Sequence, residues 1–143
     1  MKVRQISVFL ENKSGRLLEV CRCLAKAGIN IRALSIAETA DYGVLRLIVD
    51  NPDLAMESLS RELFTVSETE VIAVEVPDRP GGLAEVLQPL YEANINIEYI
   101  YCFVEKSGES ALVVFRVEQI DQAIGALQRA GFTVLPGEKV YSI

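Results

Sequence analysis

Two short loops hold the residue types that could do chemistry. Asn12-Lys13-Ser14-Gly15-Arg16-Leu17 and Asp78-Arg79-Pro80-Gly81-Gly82-Leu83 each lead from an alternating apolar run into a helical pattern. Glycine lets backbone approach a ligand, and open N–H groups at a helix start favour an anion such as an α-carboxylate. Asn12 or Asp78 could cap those N–H groups itself, or accept from a ligand ammonium. A plain turn with an N-cap accounts for the same residues, so both readings stand on the loops alone. The loops are unequal, because Ser14 stands where the other has Pro80, which lacks an amide donor. The extra donor and the neutral Asn12 favour the first loop for a carboxylate, whereas Asp78 suits an ammonium. Asn30 and Asn96, ahead of the second strands, serve either backbone at a turn or a ligand. Arg46 could hold a carboxylate bidentately or form an interface ion pair.

Enzymatic signals are missing. The chain contains no histidine, which removes the commonest general base and a common zinc ligand. It has no phosphate-binding loop, no GxGxxG after a strand and no nucleophile elbow. Arg16 and Arg79 lack the glycine-rich cradle of a small phosphatase. Cys21 and Cys23, two apart in a helix, point about 200° from each other and cannot share a metal. Cys21 is expected in the core with Leu17 and Leu24, and Cys23 on the polar side with Glu19 and Lys26. No catalytic residue, metal site or cofactor is therefore expected.

The loops sit inside a repeat. Ile6, Val8, Gly15, Leu17, Glu19, Val20, Leu24, Ala27 and Ile29-Asn30-Ile31 recur 66 positions later, from Ile72 to Ile95-Asn96-Ile97. Val49, Asp53, Ala55, Leu59, Arg61 and Phe64-Thr65-Val66 recur 68 positions later, from Val117 to Phe132-Thr133-Val134. One compact unit is duplicated. The change of shift locates a two-residue insertion near Lys106-Ser107-Gly108, at a hairpin tip.

Each copy reads as β-α-β-β-α-β. Residues 3–11 alternate as a strand with one face in a core. Arg16 to Ala27 is helical, with Leu17, Val20, Cys21 and Leu24 as its apolar stripe and Gly28 as a left-handed stop, matched by Asn94. Strands over 31–38 and 44–50, joined by a turn through Asp41-Tyr42-Gly43, precede a helix opened by Asn51-Pro52-Asp53. Ala55, Met56, Leu59 and Leu63 form that helix's buried stripe. The second copy gives a strand at 71–77, a helix at 82–93 mildly kinked by Pro89, strands at 97–105 and 110–117, a helix at 120–130 and a strand after Gly131. Residues 64–76 must supply the last strand of one copy and the first of the next, which leaves no room for a flexible linker. The fold class is α+β: two ferredoxin-like βαββαβ domains, 1–69 and 70–143, with antiparallel sheets and helices on one face. Strand two is an edge strand, and it differs most between copies: Ala33, Ser35 and Ala37 face Tyr99, Tyr101 and Phe103 as their counterparts.

Composition narrows the partners. A formal net charge of −6 argues against nucleic acid, whose phosphates call for clustered Lys and Arg. No segment is long and apolar enough to span a bilayer, and no leader-like apolar stretch follows Met1, so a cytoplasmic protein is expected. A mean hydropathy of +0.26 is high for a monomer, and small domains lean on a twin or another subunit.

Asn12-x-x-Gly15-x-Leu17 and Asp78-x-Pro80-Gly81-x-Leu83, each followed by Ile-Asn-Ile at 29–31 and 95–97, resemble the ACT domain, a small regulatory module that binds amino acids. The resemblance covers nearly the whole chain, and is closest in kind to stand-alone bacterial proteins built of two ACT domains. It implies a non-enzymatic regulator that binds a free amino acid between paired domains, within a homodimer. Carried over residue by residue, the ligand contacts implied are Asn12, Ser14, Gly15, Arg16 and Leu17, with Asp78, Pro80, Gly81, Gly82 and Leu83; Asn30 and Asn96 are further candidates. The alternative is a regulatory subunit docking on a biosynthetic enzyme, similar to the small subunit of acetolactate synthase.

Overall fold

The computed structural model describes residues 1–38, 41–104 and 110–143. Two compact units emerge. One comprises Arg4–Thr69 with Tyr141–Ile143, and the other Glu70–Val140 with Met1–Val3. The termini are held by specific bonds: the Arg4 amide donates to the Tyr141 hydroxyl at 2.8 Å, and the Lys2 ammonium lies 3.4 Å from Asp121.

The first unit contains β1 (Val3–Glu11), α1 (Arg16–Lys26), β2 (Ile31–Glu38), β3 (Tyr42–Val49), α2 (Pro52–Arg61) and the opening of β4 (Thr65–Pro77). Its strand order is β2-β3-β1-β4, antiparallel where β1 and β2 flank β3, so β2 is the edge. The second repeats the plan with the rest of β4, then α3 (Gly82–Glu92), β5 (Ile97–Cys102), β6 (Ser110–Val117), α4 (Ile120–Arg129) and β7 (Val134–Leu135). There β5 is the edge next to β6, which pairs β4, and β7 pairs β4 as well. The segment shared between copies is thus one continuous 13-residue strand. A short helix α5 (Gly137–Tyr141) follows, which the repeat does not foretell because its counterpart continues as strand. The inferred insertion at Lys106-Ser107-Gly108 lies outside the described residues, as does the end of the 97–105 strand.

Each core forms between the helices and one sheet face. Ile6, Val8, Leu45 and Leu47 meet Val20, Leu24, Ala55 and Leu59 in the first unit. Ile72, Val74, Val113 and Phe115 meet Val86, Leu90, Ala123 and Leu127 in the second. The opposite face of β1 is not simply solvent-facing, contrary to the alternation: Gln5 and Ser7 are buried, and the Gln5 amide donates to the Ser7 hydroxyl at 3.2 Å. Beside them on that sheet, Ala33 and Ile48 are buried too.

Helix ends follow the sequence logic in most places. Gly28 and Asn94 both take left-handed backbone, φ +72° and +56°, just past α1 and α3. Glycine has no Cβ to clash there, and asparagine tolerates the region better than most residues. Asn51 caps α2 by accepting from the Leu54 amide at 3.2 Å, whereas its counterpart Gln119 makes no such bond. Asn51→Ala is expected to cost about 1 kcal/mol in urea unfolding, and Gln119→Ala much less.

The helix stripes are phased differently from the simple periodicity. In α1 the buried residues are Val20, Cys23 and Leu24, whereas Leu17 and Leu18 are exposed. The reason is tertiary: α1 packs beside α2 as well as on the sheet, and the Cys23 thiol donates to the Ser58 carbonyl at 3.5 Å. Cys21 is only half-buried, which reverses the expectation for the two thiols. Leu63 departs further still. It lies beyond α2, 89% exposed, at φ +68°.

Candidate functional site

The loop after β1 is a tight turn made by backbone. Lys13 N–H donates to the Glu11 carbonyl at 2.7 Å, Arg16 N–H to Lys13 at 3.4 Å, and Glu19 N–H to Gly15 at 3.0 Å. That last bond opens the helical ladder, so the amides of Leu17 and Leu18 precede any intrahelical acceptor. The second loop repeats the turn: Arg79 N–H donates to Pro77 at 3.0 Å, Gly82 N–H to Arg79 at 2.9 Å, and Glu85 N–H to Gly81 at 3.0 Å. Gly15 and Gly81 occupy the N-cap positions at φ +89° and +82°, with no side-chain cap at either helix. Asn12 and Asp78 stand three residues ahead of those glycines, at the start of each turn.

Arg16 is the centre of the first loop's surroundings. It donates to Glu19 at 2.6 Å, and its guanidinium lies 4.9 Å above the Phe64 ring. Its Nε is buried without a hydrogen-bond partner among the described residues. Three cavities of this unit meet it. One of about 150 Å³ is lined by Asn12, Lys13, Arg16 and Leu17 with Ile36 and Glu38. A second, about 390 Å³, lies among Phe9, Glu11, Arg16, Tyr42, Leu63 and Thr65. The third, about 240 Å³, runs past Arg22, Cys23, Lys26 and Glu62. Glu11 borders the first two, 2.8 Å from the Lys13 ammonium. That hydrogen bond holds its carboxyl below the usual carboxylate range, so Glu11 is anionic at neutral pH. Fixed charges of both signs thus flank a partly apolar space.

Asn12, Arg16 and Leu17 are brought together on a cavity, and Ser14 and Gly15 shape the turn leading there. Asp78, Pro80, Gly81, Gly82 and Leu83 form the matching turn, but its arginine sits elsewhere. Arg79 reaches over to Glu85 with bonds of 2.7 and 2.9 Å, the counterpart of the Arg16–Glu19 pair made from a different position. Asn30 and Asn96 each lie apart from the loop of their own copy. The Asn30 amide donates to the Asp50 carboxylate at 3.0 Å, and the Asn96 side chain to Glu118 at 3.4 Å. They sit at the strand end where Ile31 pairs Val49, whereas the loop adjoins the end where Glu11 pairs Tyr42. The eight residues of β2 separate those ends, roughly 23 Å over seven steps at the usual rise. Arg46 lies mid-sheet, opposite Ser7 and Ser35. Of the aromatic series, Tyr101 and Phe103 are buried, and Tyr99 stacks on Tyr101 with centroids 6.4 Å apart.

Phe9, Glu11, Tyr42 and Leu63 also line this region, though the loop motif points to none of them. Their signal lies in the repeat itself. Their counterparts are Glu75, Pro77, Ser110 and Gly131, a change of chemical type at every position.

Burial pushes the Cys23 thiol up, so its reactive thiolate is scarcer at any pH than that of a free thiol. Alkylation at pH 8 is expected to modify exposed Cys102 well before Cys23, as read by peptide mass mapping. Among the described residues no cluster of His, Cys, Asp and Glu is arranged to hold a metal, and no helix is long and apolar enough to cross a membrane.

The tandem architecture recurs in known proteins. The structure superposes on protein BT0572 from Bacteroides thetaiotaomicron with a TM-score of 0.94, at 43% identity over 100% of this chain and 98% of that one. It also resembles the ligand-free regulatory subunit of aspartate kinase from Thermus thermophilus, with a TM-score of 0.65 at 20% identity over 90% and 92% of the two chains. The corresponding subunit from Thermus flavus gives 0.60 at 17% identity, over 89% and 91%. At these lower identities the likeness is one of fold. No curated protein sequence matches. Residues 1–133 match the family model of the ACT domain pair, and the chain belongs to that family.

Proposed function

We propose that this protein is a non-enzymatic regulator that binds a free amino acid at the β1–α1 loop, between paired ACT domains. The observation that carries this reading is the position of Arg16, which meets three cavities and lines one of them together with Glu11 and Glu38. A zwitterion needs a cation for its carboxylate and an anion for its ammonium within one small space. Arg16 with the open first-turn amides of α1 supplies the former, and Glu11 or Glu38 the latter. Asn12 and Leu17 complete the wall.

Pairing follows from the same geometry. Loop residues and Asn30 lie at opposite ends of the strands, so one ligand can touch both kinds only where two domains contribute. Exposed Leu34 and Ile36 on the edge strand β2, and Leu17 and Leu18 on the first turn of α1, are apolar groups that an association would cover. The expected assembly is a homodimer. Its response would be a shift between quaternary arrangements, set by the ligand's differential affinity for them. The cysteines are all free, as suits a reducing cytoplasm.

Isothermal titration of the full chain with each of the twenty amino acids tests the reading. Saturable binding of at least one, with a change in sedimentation, is expected. If none binds, the sensor role is wrong.

A further inference from the structure

We infer that the amino-acid site lies in the first copy alone and takes an amino acid with an apolar side chain, which fills the cavity between Phe9, Tyr42 and Leu63. This rests on the amino-acid reading above and specifies its ligand class and its number.

The cavity walls divide by chemistry. Arg16 and Glu11 stand at the side shared with the loop, where a ligand's carboxylate and ammonium belong. Phe9, Tyr42 and Leu63 line the same cavity with apolar surface, and are 45%, 51% and 89% exposed. Large apolar groups left open around about 390 Å³ are better matched by an apolar guest than by a polar one, whose hydrogen bonds would go unmet.

Leu63 adds an independent argument. At φ +68° its Cβ is crowded by its own backbone, and exposure gives it no packing in return. The counterpart in the second copy is Gly131, at φ +88°, which carries no such cost. Strained backbone of this kind persists where a side chain has a task, and the cavity it borders supplies one.

The second copy keeps none of the five residues Phe9, Glu11, Arg16, Tyr42 and Leu63. The register proves the equivalence: Glu11 pairs Tyr42 in one sheet as Pro77 pairs Ser110 in the other. At the matching positions Phe9 becomes Glu75, Tyr42 becomes Ser110, Leu63 becomes Gly131 and Arg16 becomes Gly82. There is also no room at that position, since a Cβ at Gly82 would stand 1.9 Å from the Pro77 carbonyl oxygen. No side chain fits where the first copy places its arginine.

The test is calorimetric titration of the full chain with leucine, phenylalanine and methionine against serine, aspartate and lysine. The apolar set is expected to bind at one molecule per chain, and the polar set at least tenfold more weakly. Phe9→Glu and Leu63→Gly, which install the second copy's residues, should each weaken leucine or phenylalanine binding about tenfold or more. Leu63→Gly should melt no lower than the parent, which separates lost binding from lost folding. Stronger binding of a polar amino acid, or apolar binding unmoved by both variants, overturns the assigned class and leaves the amino-acid reading intact. Two molecules per chain overturn the single site. Binding by none of the twenty overturns both.

Discussion

Replacing Gly82 with alanine is expected to destabilise the Glu70–Val140 unit by about 1–3 kcal/mol, the usual cost of forcing atoms into a packed site. The added Cβ would meet the Pro77 carbonyl oxygen at 1.9 Å and its carbon at 3.0 Å. Both are backbone atoms, and the Pro77 oxygen already accepts from Arg79 N–H. The strain therefore cannot be relieved by turning a side chain. Gly15→Ala is the instructive comparison. Nothing lies within 4 Å of its Cβ, so only the left-handed backbone at φ +89° opposes the change, at about 1–2 kcal/mol. Urea unfolding of both variants decides the matter. A Gly82→Ala cost below that of Gly15→Ala would mean that the second loop yields freely and that the crowding at Gly82 does not distinguish the copies.

Arg16→Ala is expected to weaken amino-acid binding about ten- to a hundredfold, because a hydrogen bond to a charged group contributes about 1.5–3 kcal/mol. Its effect on stability should be small. The Arg16–Glu19 pair lies at the surface, where such pairs contribute about 0–1 kcal/mol, and the stacking on Phe64 adds about 0.5–1 kcal/mol. Arg79→Ala is the matched control, since Arg79 makes the equivalent pair with Glu85 from a position outside the Arg16 cavities. It should leave affinity unchanged. Equal loss in both variants would point to general charge attraction, and no loss in Arg16→Ala would remove this residue from the site.

Much of the fold is legible in the chain because the duplication lets each element be read twice. Strand alternation, the Asn51-Pro52 helix start and the Gly28 and Asn94 stops depend on local backbone preferences, and the structure carries them as such. The departures have a common cause in neighbours that lie far away in sequence. Periodicity puts Cys21 on the inner face of α1, but packing beside α2 buries Cys23 instead. It also puts Leu63 in a buried stripe, whereas the chain has already turned out of α2 at that residue. The two loops are recognisable as a motif, and the structure puts Gly15 and Gly81 at the cap positions.

The sequence by itself determined that one βαββαβ unit is present twice, that each copy has a glycine-bearing turn ahead of its first helix, and that no histidine is available to either. These follow from residue type and spacing, which act locally. Tertiary structure decided which residues share a space with Arg16. Phe9 and Glu11 at the end of β1, Tyr42 at the start of β3 and Leu63 beyond α2 meet because antiparallel register and helix packing fold those ends over one loop. It also decided that Gly82 has no room for a side chain, since a carbonyl position near it is a property of the folded turn and not of the motif. Unequal loops could be read from Ser14 against Pro80, but the crowding that leaves no room for a side chain at Gly82 exists only in three dimensions.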